Sequence, residues 1–287
     1  MGDPSVRPGI RRSRPGIRRS RLLRCAAAAA LTSALSAGVW AAFEQPWRMP
    51  EPPQVEYPEF DYDGRFTFAR IKFRPTLWYF TDAYMWNLDL KWNHDYPAAE
   101  IHFAKIIEEI TGVEPRLGGG NVLEITDPRL FEHPWAYLCE PGFWNPTEEE
   151  ARLLREYMLK GGFVVIDDFF DQVGRPKDQW NNFEQSIQRV LPGVILYALA
   201  EDDLVFHSFF DVDSLEFDDP EMARFESTIY GIFEDNDPQK RLMAVVNYNL
   251  DIGDYWEWSD NAFIYPKHLT EKGFKLGINY LMYSILH

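Results

Sequence analysis

The sequence predicts a three-layer α/β/α sandwich around a mostly parallel sheet. Short runs of branched and aromatic residues alternate along the chain with longer segments of helical periodicity. Several helical segments also carry recognisable start and stop signals. Strands separated by helices pair in parallel through right-handed crossovers, which places helices on both faces of the sheet. We therefore expect a flavodoxin-like arrangement, with ligands bound beyond the carboxyl ends of the strands.

The first half of the predicted domain contains three strands and one helix. Residues 66–73 alternate apolar and polar side chains, which predicts a strand with one wetter face. Pro97 suits the first turn of a helix that runs to Thr111, because proline needs no backbone partner there, and the following glycine suits the C-terminal cap. Residues 122–125 and 135–139 predict the next two strands.

The second half begins with a capping box. Thr147 precedes three glutamates, so its hydroxyl accepts from an unpaired amide and the carboxylates favour the start of a helix that runs to Lys160. The apolar run 163–167 then predicts a buried strand. The remaining predicted elements are a helix at 180–190, strands at 194–199 and 242–246, and a closing helix at 269–286.

The amino terminus predicts export. Residues 1–42 combine an arginine-rich start, an uncharged alanine-rich stretch and small residues at its end, which is typical of a cleavable signal; an uncleaved membrane anchor is the alternative. Residues 43–62 are rich in proline and acidic residues and predict an extended linker. Residues 63–287 form the single predicted domain. The expected location is periplasmic or extracellular, with membrane contact only through an uncleaved N-terminal segment.

The charge of the chain limits its partners. Without residues 1–42, which hold eight arginines and one aspartate, 21 basic and 44 acidic residues remain, a net charge of −23. Nucleic acid and anionic membrane surfaces would repel so acidic a protein. Only one cysteine, Cys139, lies outside residues 1–42, so no intramolecular disulfide is expected in the exported protein.

Five motifs, in order along residues 64–287, resemble the bacterial domain of unknown function DUF4159. They are FTFARIKF at 66–73, WNHDYP at 92–97, DPRLFEHP at 127–134, GGFVVIDD at 161–168 and KLGINY at 275–280. The resemblance implies a class I glutamine amidotransferase-like fold and an exported or membrane-tethered location. It also implies a partner among MoxR-type ATPases and von Willebrand factor A proteins. No reaction follows from it.

Glutamine amidotransferase activity is excluded by the residues at the expected nucleophile position. Class I amidotransferases carry a cysteine on a sharp turn after a central strand, and here that turn carries Asp167 and Asp168. Cys139 lies one strand earlier, beside Glu140, whose carboxylate would raise the pKa of the thiol rather than activate it.

The candidate catalytic residues are Asp167, Asp168 and His207. Asp167, Asp171 and His207 are the candidate metal ligands, because carboxylates and imidazole suit a divalent cation or general-base chemistry. Successive strand residues point to opposite faces, so regular geometry allows only one of the adjacent aspartates to enter a cleft. An acidic loop that caps the strand end is the structural alternative.

Two polar and aromatic loops, at residues 91–97 and 247–258, supply all the candidate ligand-binding residues except Glu140, which follows the predicted strand at 135–139. Such residues suit a sugar ring or a hard cation; the alternative is that the aromatic rings of the first loop pack inward while Asn93 caps the next helix. The spacing of His94 and His102 is not typical of zinc ligands. The candidates are Trp92, Asn93, Asp95, Tyr96, Glu140, Asn247, Asn249, Asp251 and Asp254.

These observations favour an exported, non-catalytic domain that binds a ligand or a protein partner. The alternative is a metal-dependent hydrolase acting on a carbohydrate or an ester. No cofactor is predicted, although the carboxylates are compatible with a divalent cation.

Overall fold

The computed structural model describes residues 56–76, 89–172, 174, 177–219 and 224–287. The predicted export signal or anchor at 1–42 lies outside them. Within the described ranges, no helix is long and apolar enough to cross a membrane. Residues 56–62, the described end of the predicted linker, contact the domain: the side chain of Asn121 bonds both backbone groups of Phe60.

A seven-stranded sheet forms the centre of the domain, in the order β2-β1-β3-β4-β7-β6-β5. The first five strands in that order pair in parallel, whereas β6 and β5 extend the sheet antiparallel. The strands are β1 (Ala69–Lys72), β2 (Asn121–Glu124), β3 (Trp135–Cys139), β4 (Phe163–Phe169), β5 (Tyr197–Ala198), β6 (Thr228–Phe233) and β7 (Leu242–Tyr248).

In the described ranges, five α-helices cover the sheet and complete the predicted three-layer sandwich. Helices α1, α4 and α5 pack together, as do α2 and α3. They are α1 (Ala98–Ile110), α2 (Glu148–Leu159), α3 (Asp178–Val190), α4 (Ile252–Glu257) and α5 (Lys267–Leu286). The predicted capping box is present, since Thr147 accepts from the Glu150 amide and Glu150 accepts from the Thr147 amide.

The core between the sheet and α1, α4 and α5 is mainly aromatic. The Phe103 ring stacks on Trp256 with centroids 4.5 Å apart, and Phe68 meets Trp135 edge to face at 4.8 Å. All four side chains are buried. Such pairs add about 0.5–1.5 kcal/mol each beyond the burial of apolar area. Because Phe103 lies in α1, Trp256 in α4 and Trp135 in β3, these rings pack both helices against the sheet.

Three elements differ from the prediction. The strand expected at 194–199 is only the two-residue β5, at the edge of the sheet. Strand β6 and the six-residue α4 were not predicted. Both antiparallel pairings involve β6. Eight residues join β6 to β7, as in an antiparallel connection, whereas 29 residues separate β5 from β6.

His133 should make the stability of this fold depend on pH. Its side chain is buried, and burial together with Arg129 lowers its pKa to about 4. The Asn121 amide is oriented by its two bonds to Phe60, so its Nδ2 donates to Nε2 of His133, which must carry a lone pair. The unfolded chain therefore binds a proton near pH 6.5 that the folded chain rejects until about pH 4.

We expect the wild-type chain to lose about 2 kcal/mol of unfolding free energy through His133 between pH 8 and pH 5. His133→Gln, whose amide oxygen keeps an acceptor for Asn121, should remove that part of the acid sensitivity. Urea titrations of both proteins at pH 8 and pH 5 measure it. Equal losses in the two proteins would contradict a neutral buried His133.

Candidate functional site

A bulge lies at the carboxyl end of β4, where the adjacent residues Asp167 and Asp168 stand. The register with β7 shifts between Ile166 and Phe169, and Asp168 has a left-handed backbone with φ of 62°. Asp167 accepts from the first amides of α4, and Asp168 interacts with the side chain of Asp251 just before that helix. The two adjacent aspartates therefore have different partners: Asp167 bonds the sheet and the start of α4, whereas Asp168 joins a separate group of side chains.

Asp167 is a fully bonded structural carboxylate. One oxygen, Oδ2, accepts from Tyr137 Oη at 2.7 Å and from the amides of Ile252 and Gly253 at 3.0 Å each. The other oxygen accepts from Asn247 Nδ2 at 2.9 Å. Burial raises the pKa of Asp167 to about 7 in spite of these donors. Asp167 therefore joins β3, β4 and β7 to the start of α4.

Asp168 belongs to a group that we call the histidine triad, which consists of His94, Glu140 and Asp168. One ligand atom from each lies within 4.8 Å of the others. His94 Nδ1 lies 3.2 Å from Asp168 Oδ2 and 3.3 Å from Glu140 Oε1. Burial lowers the pKa of His94, but the two carboxylates outweigh burial and raise it to about 10. Burial and Asp168 raise the pKa of Glu140 to about 8.

A second group, the aspartate triad, consists of Asp95, Asp251 and Asp254, again with ligand atoms within 4.8 Å of one another. Asp251 caps α4 by accepting from the Asp254 amide at 2.8 Å, and Asp254 accepts from Tyr265 Oη at 2.8 Å. Asp95 is 92% buried, and its Oδ2 has no hydrogen-bond partner. Burial and two neighbouring aspartates raise its pKa well above the usual value.

The two triads are adjacent. Asp95 and Asp168 form a third close group with Cys139, whose Sγ donates to Asp168 Oδ2 at 3.4 Å. The residues come from the loop before α1, the carboxyl ends of β3 and β4, and the start of α4. This is the edge of a parallel sheet at which α/β proteins bind ligands. We call the whole set the acidic cluster: His94, Asp95, Cys139, Glu140, Asp168, Asp251 and Asp254.

Arg70 holds the loop that carries His94 and Asp95. Its guanidinium is fully buried, forms an ion pair with Glu100, and donates through Nη1 to the carbonyls of Trp92 at 3.1 Å and His94 at 2.8 Å. Because the donor lies in the central sheet, the loop is fixed relative to β3 and β4. The backbone of Asp95 is left-handed, with φ of 64°.

The aromatic residues of this loop do not form a sugar-stacking surface. Trp92 is 98% buried and meets the Tyr57 ring edge to face at 5.4 Å, so it packs inward, which was the alternative interpretation. Tyr96 also meets Tyr57, at 5.7 Å. Asn93 accepts from the Leu90 amide and does not cap α1.

Three further predicted site residues have partners outside the acidic cluster. Asp171 accepts from the amides of Gln179 and Trp180 and so caps α3. Asn249 accepts from the Asp171 amide. Asn247 bonds Asp167 and Tyr280.

His207 lies on a surface segment, where it contacts Asp211 at 3.1 Å and the Glu201 carbonyl at 2.8 Å. The structure therefore does not join His207 to Asp167 or Asp171. Its role as their metal-binding partner has no support in the contacts of these residues.

Sequence reasoning missed His94, the only imidazole in the acidic cluster. It was assessed by its spacing to His102, which instead bonds the carbonyl of Trp256. The partners of His94 are Glu140 and Asp168, which are far away in sequence. The available signal was position: His94 lies in the loop that supplied the candidate ligand-binding residues.

Comparison with known proteins identifies the family but no activity. No curated protein matches the chain. The model of one family, described as a domain of unknown function, matches residues 67–285. That range covers all twelve elements of the described fold except the last residue of α5. The chain belongs to the DUF4159 family.

Proposed function

We propose that this domain binds a divalent cation in the acidic cluster and serves as a ligand-binding domain without a reaction of its own. The observation that carries the proposal is Asp95. Its Oδ2 is buried among other carboxylates and has no hydrogen-bond donor. Leaving a buried acceptor without a partner costs about 1–3 kcal/mol, and more when the group is charged. A cation in the aspartate triad would supply the missing partner.

The donor chemistry fits a cation with oxygen ligands. All three members of the aspartate triad offer carboxylates, which Ca²⁺, Mg²⁺ and Mn²⁺ prefer. The nearest basic side chains are already engaged, since Arg70 pairs with Glu100 and Lys91 with Glu140. The high negative charge of residues 43–287 would raise the local concentration of cations further.

The nucleophiles near the cluster favour binding over turnover. Cys139 is the only cysteine in the described ranges, and burial and Asp168 raise the pKa of its thiol well above the usual value. A thiol held in its protonated form is a weak nucleophile. One observation favours the alternative, a metal-dependent hydrolase: an imidazole, His94, lies beside the carboxylates, and a bound cation would lower the pKa of a water ligand.

Export and partner remain part of the proposal. The signal-like residues 1–42 support a periplasmic or extracellular location, or a membrane-anchored one if they are retained. Association with a MoxR-type ATPase or a von Willebrand factor A protein is supported by the family resemblance alone. The net charge of −23 argues against nucleic acid as a ligand.

Thermal unfolding with and without cations tests the proposal. After removal of metal by a chelator, Mn²⁺, Zn²⁺, Ca²⁺ or Mg²⁺ at about 100 times its dissociation constant should add about 2.7 kcal/mol. For a domain of this size the midpoint should rise by about 5–10 °C. Asp254→Asn, which removes one ligand charge of the aspartate triad, should lose most of the rise.

The matched control is Asp202→Asn, the same chemical change at an exposed carboxylate. It should respond to cations as the wild type does. A midpoint that none of the four cations moves, or a rise that Asp254→Asn retains in full, would contradict the proposal. Hydrolysis of sugar or ester substrates that requires the bound cation would favour the alternative.

A further inference from the structure

The two triads have no residue in common. His94, Glu140 and Asp168 form one, and Asp95, Asp251 and Asp254 form the other. Each offers three ligand atoms close enough to share one cation. A single ion at either triad therefore leaves the ligands of the other triad unused.

Carboxylates face both ring nitrogens of His94, and a cation at Nδ1 would displace the proton that Asp168 and Glu140 favour there. Nδ1 of His94 faces Asp168 and Glu140, while Nε2 lies 3.0 Å from Asp89 Oδ1. Metal-binding histidines commonly donate a hydrogen bond from the N–H of their second ring nitrogen to a carboxylate, and this bond fixes the tautomer and the ring orientation. Glu140 is held in a similar way, since Lys91 Nζ lies 3.1 Å from its Oε1. This observation is independent of the unpartnered oxygen in the aspartate triad.

The third close group places the triads side by side. Ligand atoms of Asp168, from the histidine triad, and Asp95, from the aspartate triad, lie within 4.8 Å of each other. These two carboxylates therefore stand between the two positions. A carboxylate has two oxygens, and each can contact a different ion.

We propose that the acidic cluster is a binuclear centre, with one divalent cation in the histidine triad and a second in the aspartate triad. The inference rests on the proposed function, because it adds a second cation to the same cluster. The positions differ in chemistry. The histidine triad, with an imidazole nitrogen, suits Mn²⁺, Fe²⁺ or Zn²⁺, and the all-oxygen aspartate triad also suits Ca²⁺ and Mg²⁺. Mn²⁺ fits both donor sets and is the natural probe.

Equilibrium dialysis of the full chain against Mn²⁺ measures the number of ions. Wild type should bind two per chain. Asp254→Asn should bind one, and so should His94→Gln and Glu140→Gln, two separate changes in the histidine triad. His207→Gln is the matched control for loss of an imidazole; because His207 contacts Asp211 and Glu201, this variant should bind two.

Electron paramagnetic resonance of the same samples tests whether the ions are neighbours. Wild type with two Mn²⁺ should give a broadened spectrum from coupled spins, and each one-ion variant should give the six-line spectrum of an isolated ion. One ion per wild-type chain, unchanged in His94→Gln and Glu140→Gln, would overturn the binuclear centre and leave the proposed function standing. No bound Mn²⁺ would overturn both. Two bound ions that both give the six-line spectrum of an isolated ion would contradict the inference that Asp95 and Asp168 place the two triads side by side.

Discussion

Replacing Arg70 with methionine is expected to lower the unfolding free energy by about 3–5 kcal/mol, because the change leaves Glu100 as an unpaired charge in the core. Both side chains of this ion pair are fully buried. The carbonyls of Trp92 and His94 also lose their donor. Urea denaturation of wild type and Arg70→Met measures the loss. A change below about 1 kcal/mol would show that the buried pair contributes little.

Two controls separate charge from position. Arg152→Met breaks an exposed ion pair with Glu156 and should cost less than about 1 kcal/mol. The double variant Arg70→Met/Glu100→Leu replaces both charges with apolar groups and should recover most of the stability. The thermal stabilisation of this double variant by cations should be smaller than that of wild type, because no guanidinium holds the loop of His94 and Asp95. Full recovery of that response would contradict the positioning role of Arg70.

The second large effect is expected at Asp95, where asparagine should stabilise the cation-free protein and remove the part of the cation response that depends on the aspartate triad. Burial and the neighbouring Asp168 and Asp254 raise the folded-state pKa of Asp95. The unfolded chain releases this proton at a lower pH than the folded chain does, so above the unfolded pKa the group favours unfolding. Removing the group removes that cost.

The sign of the pH dependence follows. A raised carboxylate pKa costs stability above the unfolded value near pH 3.8, and the cost fades as the pH falls toward that value. Asp95→Asn should therefore stabilise the cation-free protein more at pH 7 than at pH 4. The same variant should forfeit the aspartate triad's share of the roughly 2.7 kcal/mol that saturating cation adds to wild type. Urea titrations at both pH values, with and without Mn²⁺, measure both effects. A variant less stable than wild type at pH 7 without cation would contradict the interpretation of Asp95 as a buried carboxyl group that lacks a partner.

The predictable parts of the fold are those whose signals are local. The continuous apolar run of β4 and the capping box at Thr147 depend on neighbouring residues, and both were confirmed. Strand β6 was missed because Gly231 interrupts the run of branched and aromatic residues that predicts a strand. Gly231 packs so closely against Leu242 and Leu199 that no side chain would fit there. Helix α4 has only six residues, too few to show the helical repeat of apolar side chains in the sequence. Its N-terminus is held by Asp167, which is distant in sequence.

The site was less predictable because it depends on long-range geometry. Asp168 joins the cluster only because a bulge against β7 turns its backbone to positive φ. No local pattern at residues 163–171 distinguishes the bulge from a regular strand end. His94 and Asp168 meet across 74 residues of sequence. Parallel topology alone nevertheless predicts that the strand ends meet at one edge of the sheet, and the acidic cluster lies at that edge.

The central pairing of β4 with β7 has a consequence for the order of events during synthesis. Val164 of β4 lies opposite Ala244 of β7, so about 80 further residues must be synthesised after β4 before β7 can pair with it. Until then the edge of β4 that faces away from β3 has no strand beside it. Unpaired strand edges of this kind make unfinished chains prone to aggregation, which chaperones counter. Asp251 and Asp254 emerge later still. A chain that stops before residue 242 lacks β7, Asp251 and Asp254, so it can neither complete the sheet nor form the aspartate triad. The site can therefore form only once synthesis has passed these residues.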